Sequence, residues 1–265
     1  VLGGEPPRML GMFNGKFGRI HHGYLNNFNR LSSLVPAADR PDSRFTEVAE
    51  GDLCWLEAEG QCHLFFKHPS LTNRLPPPAQ LLKDLRQGKL LTLERILSPA
   101  LRNLRFILEL KTGYGSVRAA LGKALRLMQR HARGRYWVDS FNPQLLGLVK
   151  SVSPRTPTSL HTGGIYGRYL VRTTYERPRL SFIDLYRLPQ VDAITVTYQR
   201  RPSAMVRPLE AALARNHRHV FSAGKHLILG RVRNPRTFNR VQQCGAVAAY
   251  RSGKRHQRGH ARLAS

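Results

Sequence analysis

Short apolar runs alternate with stretches of helical periodicity along most of the chain. Strands are predicted over residues 17–20, 45–56, 64–66, 104–110, 136–138, 158–160, 193–196, 226–230 and 246–250. Helices are predicted over 116–131, 143–149, 205–215 and 235–243, the first because its apolar residues recur along one side. This alternation is typical of a parallel sheet with crossover helices. At 265 residues, the chain has the size of a single (β/α)8 TIM-type barrel domain.

Basic residues greatly outnumber acidic ones. The chain has 43 Lys and Arg against 16 Asp and Glu, a net charge of +27. Residues 251–265 carry basic residues and no acid, so we predict a barrel domain over 1–250 and a flexible basic tail over 251–265. Such charge attracts phosphates, anionic lipid surfaces or nucleic acid. A nucleic-acid-binding protein is therefore an alternative, although the sequence has no recognised nucleic-acid-binding motif and only 8% aromatic residues for base stacking.

Other features of the chain bear on its location and redox chemistry. No stretch approaches the roughly 20 consecutive apolar residues that cross a bilayer. The first eight residues lack the order of a secretory signal, which predicts a cytoplasmic protein and leaves open an export signal already removed. Cys54, Cys62 and Cys244 lack zinc-ligand spacing and are interpreted as small hydrophobic residues. Nothing in the pattern specifies an oligomeric state.

Candidate chemical groups follow several of the predicted strands, where barrel enzymes build their sites. Glu50 and Asp52 are two residues apart and share one face of a strand, and Glu109 and Lys111 repeat this spacing. Three carboxylates converging at a barrel mouth need a cation, and oxygen ligands suit Mg²⁺ or Ca²⁺. A lysine beside them complements a phosphate oxygen.

Each of these residues also has an ordinary interpretation. Two carboxylates on an amphipathic strand commonly form a solvated face, and Lys111 after Glu109 is consistent with an exposed ion pair. The joint occurrence of the groups at predicted strand ends favours the metal site. Other histidines, among them His63, His131 and His161, show no partner pattern and are interpreted as structural or surface residues.

A series of short motifs follows in order along the chain. The motifs are H-H-G from His21, E-G-D from Glu50, F-F-K-H ending at His68, T-L-E-R-I-L from Thr92 and L-E-L-K from Leu108. Together they resemble the pattern of the glycerophosphodiester phosphodiesterase family. Residues 139–143, 223–225 and 243–246 are similar to later segments of the family. The resemblance extends in order over residues 17–250, and its order and spacing are more specific than any single motif. It implies a phospholipase C-like (β/α)8 barrel.

The resemblance also implies a reaction and roles for individual residues. His21 and His68 correspond to an acid/base pair, and Lys111 to a phosphate-contacting lysine. Glu50, Asp52 and Glu109 correspond to the ligands of one divalent cation, Mg²⁺ or Ca²⁺. The implied reaction cleaves a glycerophosphodiester to glycerol phosphate and an alcohol.

The sequence departs from the family pattern in several places. His22 replaces the arginine of H-R-G, Pro69 replaces the aspartate of H-D, and residues 229–232 replace the W-T-V-N strand. Asn26 or Asn27 stands where a Glu-Asn pair is usual. His22, Arg74 and Arg231 are therefore candidates for the lost phosphate contact. The departures leave two alternatives open: a catalytically impaired member that binds phosphodiesters or lipid head groups, and an enzyme acting on a lysophospholipid at an anionic membrane surface.

Overall fold

The computed structural model describes residues 16–39, 45–69, 74–162, 165–166, 169–170, 188–197, 225–232 and 246–251. In chain order its strands are β1 (Phe17–His21), β2 (Phe45–Ala58), β3 (Gln61–Phe66), β4 (Leu91–Thr92), β5 (Arg105–Tyr114), β6 (Tyr136–Ser140), β7 (Thr158–Thr162), β8 (Ile165–Tyr166), β9 (Tyr169–Leu170), β10 (Ala193–Thr197), β11 (His226–Val232) and β12 (Ala248–Arg251). Its α-helices are α1 (Phe28–Ser32), α2 (Val35–Ala38), α3 (Pro78–Arg86), α4 (Leu93–Ile96), α5 (Val117–His131) and α6 (Pro143–Val152). Short 3-10 turns lie at Tyr24–Asn26 and Pro99–Leu101.

Eight parallel strands close into a barrel with helices between strands. The circuit runs β1-β2-β5-β6-β7-β10-β11-β12, and β1 pairs with both β12 and β2, which closes it. The predicted (β/α)8 TIM-type barrel is therefore confirmed.

The barrel interior is filled by alternate residues of its strands. One buried cluster takes a residue from each of seven strands: Ile20, Val48, Ile107, Trp137, Ala193, Ile228 and Ala248. The eighth strand, β7, contributes Ser159, whose hydroxyl accepts a hydrogen bond from Trp137 Nε1 at 3.1 Å. This layer fills the barrel interior below the carboxyl ends of the strands.

The helices pack on the outer face of the barrel. Helix α5 buries Leu121, Leu125 and Met128, and the Ser116 side chain caps its start by accepting from the Ala119 amide. Helix α6 begins at Pro143, which needs no amide partner in the first turn. Both helices confirm the prediction, and α6 continues three residues past the predicted end.

Strand β2 is longer than a barrel strand needs to be. It continues to Ala58, turns at Glu59 and Gly60, and returns antiparallel as β3. Both turn residues have positive φ, 53° and 70°, as a tight hairpin requires. Glu50 and Asp52 thus lie within a continuous strand, immediately past Ala49, where pairing with β1 ends. They still project at the mouth of the barrel.

Two residues lie at the ends of regular elements. Pro78 is the first residue of α3, a position that tolerates proline. Arg251, the first residue of the predicted basic tail, is the last residue of β12 and pairs with His21 in the barrel.

Several predictions fall outside the described residues. These are the helices over 205–215 and 235–243, the cysteine Cys244, and residues 252–265 of the tail. Among the described helices, none combines the length and apolar character needed to cross a bilayer.

Candidate active site

Three buried carboxylates converge at the mouth of the barrel. Glu50 and Asp52 come from β2 and Glu109 from β5, where Asp52 and Glu109 are direct neighbours across the two strands. Their carboxylate oxygens lie within 4.8 Å of one another, and each residue is at most 1% exposed. Because residues two apart on a strand face the same side, Glu50 and Asp52 both point towards Glu109 and form a compact group of carboxylate oxygens with it.

Two cationic side chains border this cluster. Lys111 Nζ lies 3.1 Å from Asp52 Oδ1, without hydrogen-bond geometry, and donates to Glu109. Burial lowers the pKa of Lys111, but the charges of Glu109 and Asp52 outweigh it, so the pKa lies above its ordinary value. His22 Nδ1 lies 2.7 Å from Glu50 Oε2, and the Glu50 charge raises the pKa of His22 to about 9. Both groups are therefore positive at neutral pH.

With all three carboxylates ionised, the cluster would hold more negative charge than these two cations balance. Burial raises the pKa of Glu109 well above its ordinary value, and the neighbouring charges of Glu50 and Asp52 add to this effect against Lys111. Burial acts on Glu50 in the same sense, but the charge and hydrogen bond of His22 outweigh it and lower the pKa of Glu50. Glu50 Oε1 is buried without a hydrogen-bond partner among the described residues. An unpartnered oxygen, a third carboxylate that the two cations do not neutralise and an all-oxygen donor set together fit a hard divalent cation.

The turn after β1 holds two of the carboxylates in place. The Gly23 amide donates to Glu50 Oε2 at 2.6 Å, and Gly23 has φ 70°. Asn26 Nδ2 donates to Asp52 Oδ2 at 2.5 Å, and the Asp52 amide donates to Asn26 Oδ1 at 3.1 Å. Asn26, at the position where the family has a Glu-Asn pair, therefore orients a candidate ligand rather than supplying a carboxylate.

The two adjacent histidines, His21 at the end of β1 and His22 in the turn after it, contact different acidic residues. Ile20 faces the barrel interior, so His21 faces the outer layer, where His21 Nε2 lies 2.6 Å from Glu47 Oε2. Glu47 is buried and also accepts from Arg19. Of the two histidines, His22 is the one bonded to the acidic cluster.

The remaining predicted residues lie farther along the chain. His68 follows β3, is exposed, and its Nδ1 lies 2.6 Å from the carbonyl oxygen of Pro69. Arg74 is exposed before α3. Arg231 lies in β11. Within the described residues, the hydrogen bonds and ion pairs of the acidic cluster do not include His21 or His68.

A second buried group at the mouth was not predicted as a site. Asp139 of β6 is fully buried and lies next to Glu109 across the strands. It accepts from Ser159 Oγ at 2.8 Å and from Tyr250 OH at 3.3 Å, and His161 Nδ1 lies 3.0 Å from its Oδ2. Burial raises the pKa of Tyr250 well above its ordinary value. His161, for which the sequence showed no partner pattern, thus has a buried carboxylate as its partner in the fold.

Side-chain contacts link the acidic cluster to the group around Asp139. Lys111 Nζ lies 5.2 Å from the centre of the Phe141 ring, and Phe141 stacks on His161 at 4.3 Å. The rings of His161 and Tyr250 are 5.9 Å apart, and those of Tyr250 and His22 are 6.1 Å apart. The chain of contacts therefore runs across the mouth from β5, through Phe141, His161 and Tyr250, to His22 after β1.

A polar cavity lies beside the cluster. It has a volume of about 230 Å³ and shares Asn26 with the Asp52 contact. Its other lining residues are Asn27, Asn29, Gly88, Lys89, Leu91 and Arg95. The amides and two cations of this lining suit a polar or anionic substituent.

Comparison with known proteins adds a fold relationship. No protein-family model matches the chain, and no curated protein matches it. A glycerophosphodiester phosphodiesterase from Parabacteroides distasonis matches with a TM-score of 0.59 and 17% identity, over 89% of this chain and 92% of that one. One from Thermotoga maritima has a TM-score of 0.57 and 15% identity, over 89% and 94%.

A third solved structure is a phosphodiesterase from Oleispira antarctica in complex with the product sn-glycerol-3-phosphate. Its TM-score is 0.57 and its identity 15%, over 89% of this chain and 92% of that one. The resemblance indicated by the motifs is confirmed for the fold, which this chain shares with proteins of that name at low sequence identity.

Proposed function

We propose that this chain, which has the fold of the glycerophosphodiester phosphodiesterases, hydrolyses a glycerophosphodiester to glycerol phosphate and an alcohol. The observation that carries the proposal is the buried cluster of Glu50, Asp52 and Glu109 at the barrel mouth. Three acids this close are stable together when a cation lies between them. Lys111 and His22 beside them supply positive charge for phosphate oxygens.

A single divalent cation, Mg²⁺ or Ca²⁺, fits the three carboxylates. When bound, it polarises the phosphoryl oxygen and stabilises the charge that develops in the transition state. Residues of this chain bind and orient the substrate and the metal ligands. Lys111 and His22 orient and neutralise the phosphodiester, while Asn26 and Gly23 hold Asp52 and Glu50 in place.

Two observations support the substrate class. The Oleispira phosphodiesterase, which shares the fold, is in complex with sn-glycerol-3-phosphate as its product. In this chain, a polar cavity lined by Asn26, which bonds to Asp52, also contains Lys89 and Arg95. A small glycerophosphodiester is the favoured substrate, and a lysophospholipid is the larger alternative.

The roles of the histidines are part of the proposal. The motif resemblance assigns proton transfer to His21 and His68, and a phosphate contact to His22. The contacts of the described residues support His22 at the phosphate, because it is the histidine bonded to Glu50. The bond from His21 to buried Glu47 supports a role in holding β1 against β2. His68 is a candidate for proton transfer.

A second candidate function is binding without cleavage. Pro69 follows His68 where the family has an aspartate, and His21 is bonded to Glu47 rather than to the cluster. These two departures favour a protein that keeps the anion site and has lost the proton-transfer groups. Anionic lipid head groups or small phosphodiesters are the ligands of that alternative.

The test is hydrolysis of glycerophosphocholine and lysophosphatidylcholine, measured as release of the alcohol, with Mg²⁺, Ca²⁺ or a chelator. We expect metal-dependent turnover that falls about 100-fold or more in Asp52→Asn and in His22→Ala. Glu59→Gln is the matched control, because Glu59 is an exposed carboxylate at the β2–β3 turn, paired only with Arg86 among the described ion pairs. Turnover that is insensitive to both chelator and Asp52→Asn contradicts the metal site. Binding of the diester without turnover selects the second candidate.

A further inference from the structure

The pair formed by Asp139 and His161 is placed as a catalytic histidine and its orienting carboxylate usually are. His161 Nδ1 lies 3.0 Å from Asp139 Oδ2, and both residues are buried. Asp139 is in turn fixed by Ser159 Oγ at 2.8 Å and Tyr250 OH at 3.3 Å. Ser159 accepts from Trp137 Nε1, so the carboxylate is anchored to the floor of the barrel. A carboxylate held in this way fixes the tautomer and the orientation of an imidazole.

The pair lies at the end of the barrel where the acidic cluster lies. Asp139 is the cross-strand neighbour of Glu109, and His161 is the next-to-last residue of β7. Two strand spacings separate β5 from β7, about 10 Å across the mouth. Phe141, in contact with both Lys111 and His161, joins the two groups. His161 therefore lies at the same mouth as the cluster, within the span of a bound phosphodiester and its leaving group.

We propose that His161, oriented by Asp139, protonates the departing alcohol during cleavage of the phosphodiester. This inference rests on the proposed function, and it assigns the general acid to a residue outside the family motifs. With Nδ1 donating to Asp139, Nε2 is the nitrogen that carries the transferred proton. The Asp139 carboxylate stabilises the charged ring in the bound complex.

The proposed step is balanced. The bond from phosphorus to the leaving oxygen breaks, its electron pair stays on that oxygen, and the oxygen receives the proton of His161 Nε2. A water oxygen forms the new bond to phosphorus and releases one proton to solvent. His161 then regains a proton from solvent, so that one diester and one water give one glycerol phosphate and one alcohol.

His68 is the competing residue for this step, because the motif resemblance assigns it to the acid/base pair. Its surroundings differ from those of His161. His68 is exposed, and its Nδ1 lies near the carbonyl of Pro69 rather than a carboxylate. A carbonyl orients a ring but supplies no negative charge for the imidazolium.

The experiment compares two leaving groups. One diester is glycerophosphocholine, whose choline alkoxide must be protonated as it leaves, and the other is p-nitrophenyl glycerophosphate, whose phenolate leaves without a proton. Wild type, His161→Gln, Asp139→Asn and His68→Gln are assayed on both, and folding is checked by thermal melting. His131→Gln is the matched control, since His131 is an exposed histidine at the end of α5.

General-acid catalysis contributes roughly 100- to 10,000-fold to a rate. His161→Gln is expected to lose that factor in kcat on the choline ester and less than about 10-fold on the nitrophenyl ester. Asp139→Asn is expected to show the same pattern at smaller size, about 10- to 100-fold. If His161→Gln does not fold, the two-substrate comparison of Asp139→Asn carries the test.

Each other outcome overturns the inference. Equal losses on both esters in His161→Gln and Asp139→Asn identify a structural role. A leaving-group-dependent loss confined to His68→Gln assigns the acid to His68. If the wild-type protein cleaves neither ester, the proposed function and this inference are both wrong. If His161→Gln cleaves both esters as fast as the wild type, only this inference is wrong.

Discussion

At the scale of single residues, Gly51 makes the candidate metal site possible. It lies between Glu50 and Asp52 on β2. A Cβ at this position would lie 2.4 Å from Leu25 Cβ and 3.0 Å from Asn26 Oδ1. Because Leu25 is fully buried, it has no room to withdraw. The missing side chain is what allows the Tyr24–Asn26 turn to approach β2 and bond to Asp52.

Gly51→Ala should therefore weaken cation binding without removing a ligand. The added methyl group displaces Leu25 and Asn26, so Asp52 loses its orienting hydrogen bonds. We expect the affinity for Mg²⁺ or Ca²⁺ to fall about 10- to 100-fold, measured by calorimetric titration. Gly147→Ala on α6 is the control, since a Cβ there meets nothing within 4 Å. Unchanged affinity in Gly51→Ala speaks against the orienting role of Asn26.

The sequence predicted the site residues that follow a local strand pattern, and not those whose partners come from other strands. Glu50 with Asp52, and Glu109 with Lys111, follow the two-residue period of a strand, which is a local property. His21 and His22 are adjacent, so they face opposite sides, and the sequence does not show which side is the interior. Asp139 and His161 lie on the neighbouring strands β6 and β7, 22 positions apart in the sequence, and only the topology of the barrel brings them together.

At the scale of elements, the closure of the barrel between β1 and β2 contains a buried ionic group. Arg19 and His21 of β1 both bond to Glu47 of β2. Burial raises the pKa of Glu47, but the hydrogen bonds and charges of His21 and Arg19 outweigh it and lower the pKa to about 2. The carboxylate is thus stabilised in its charged form by folding.

This group predicts an acid-sensitive contribution to stability. Glu47 has a folded pKa below its ordinary value of 4.5, so its contribution is complete above about pH 4.5 and is lost as the pH falls towards 2. Glu47→Gln should lower the free energy of unfolding by about 3 kcal/mol near pH 7, because Arg19 and His21 lose a buried partner. Urea unfolding across this pH range should show the two proteins converging in acid. A difference that stays constant with pH contradicts this account.

Elements differ in how well the sequence predicted them. Helix α5 was predicted because its apolar face and its Ser116 cap are both local signals. Helices α1 and α2 have five and four residues, too few for a periodic pattern to appear, and were not predicted. Strand β2 was predicted over 45–56, nearly its full length, whereas its antiparallel pairing with β3 is a tertiary contact that the sequence pattern does not specify.

At the scale of the whole molecule, the net charge of +27 contrasts with the acidic centre of the mouth. The field should bind anionic polymers without reading their sequence. We expect single-stranded oligonucleotide to bind at low salt and to lose about 1,000-fold or more in affinity between 50 and 200 mM salt. Fluorescence anisotropy measures this binding, and glycerophosphocholine hydrolysis at 200 mM salt is the comparison. Oligonucleotide affinity that resists salt while hydrolysis is absent favours the nucleic-acid-binding alternative.

The fold was the most predictable property of the whole molecule. A barrel needs the alternation of strands and helices and a buried period-2 face, and these survive extensive substitution. The solved structures above share this fold at 15–17% identity. The chemistry of the mouth is less predictable, because it depends on which side chains the barrel brings together, as it places Asp139 of β6 beside Glu109 of β5.

The most direct test of the central claim is a calorimetric titration of Mg²⁺ and Ca²⁺ into the chelator-treated full chain and its Glu50→Gln variant. The account predicts one bound cation per chain in the wild type and a loss of affinity of about 100-fold or more in the variant, because Glu50 supplies a buried ligand oxygen. Binding that is equal in the two proteins, or absent from the wild type, would contradict a metal centre at Glu50, Asp52 and Glu109.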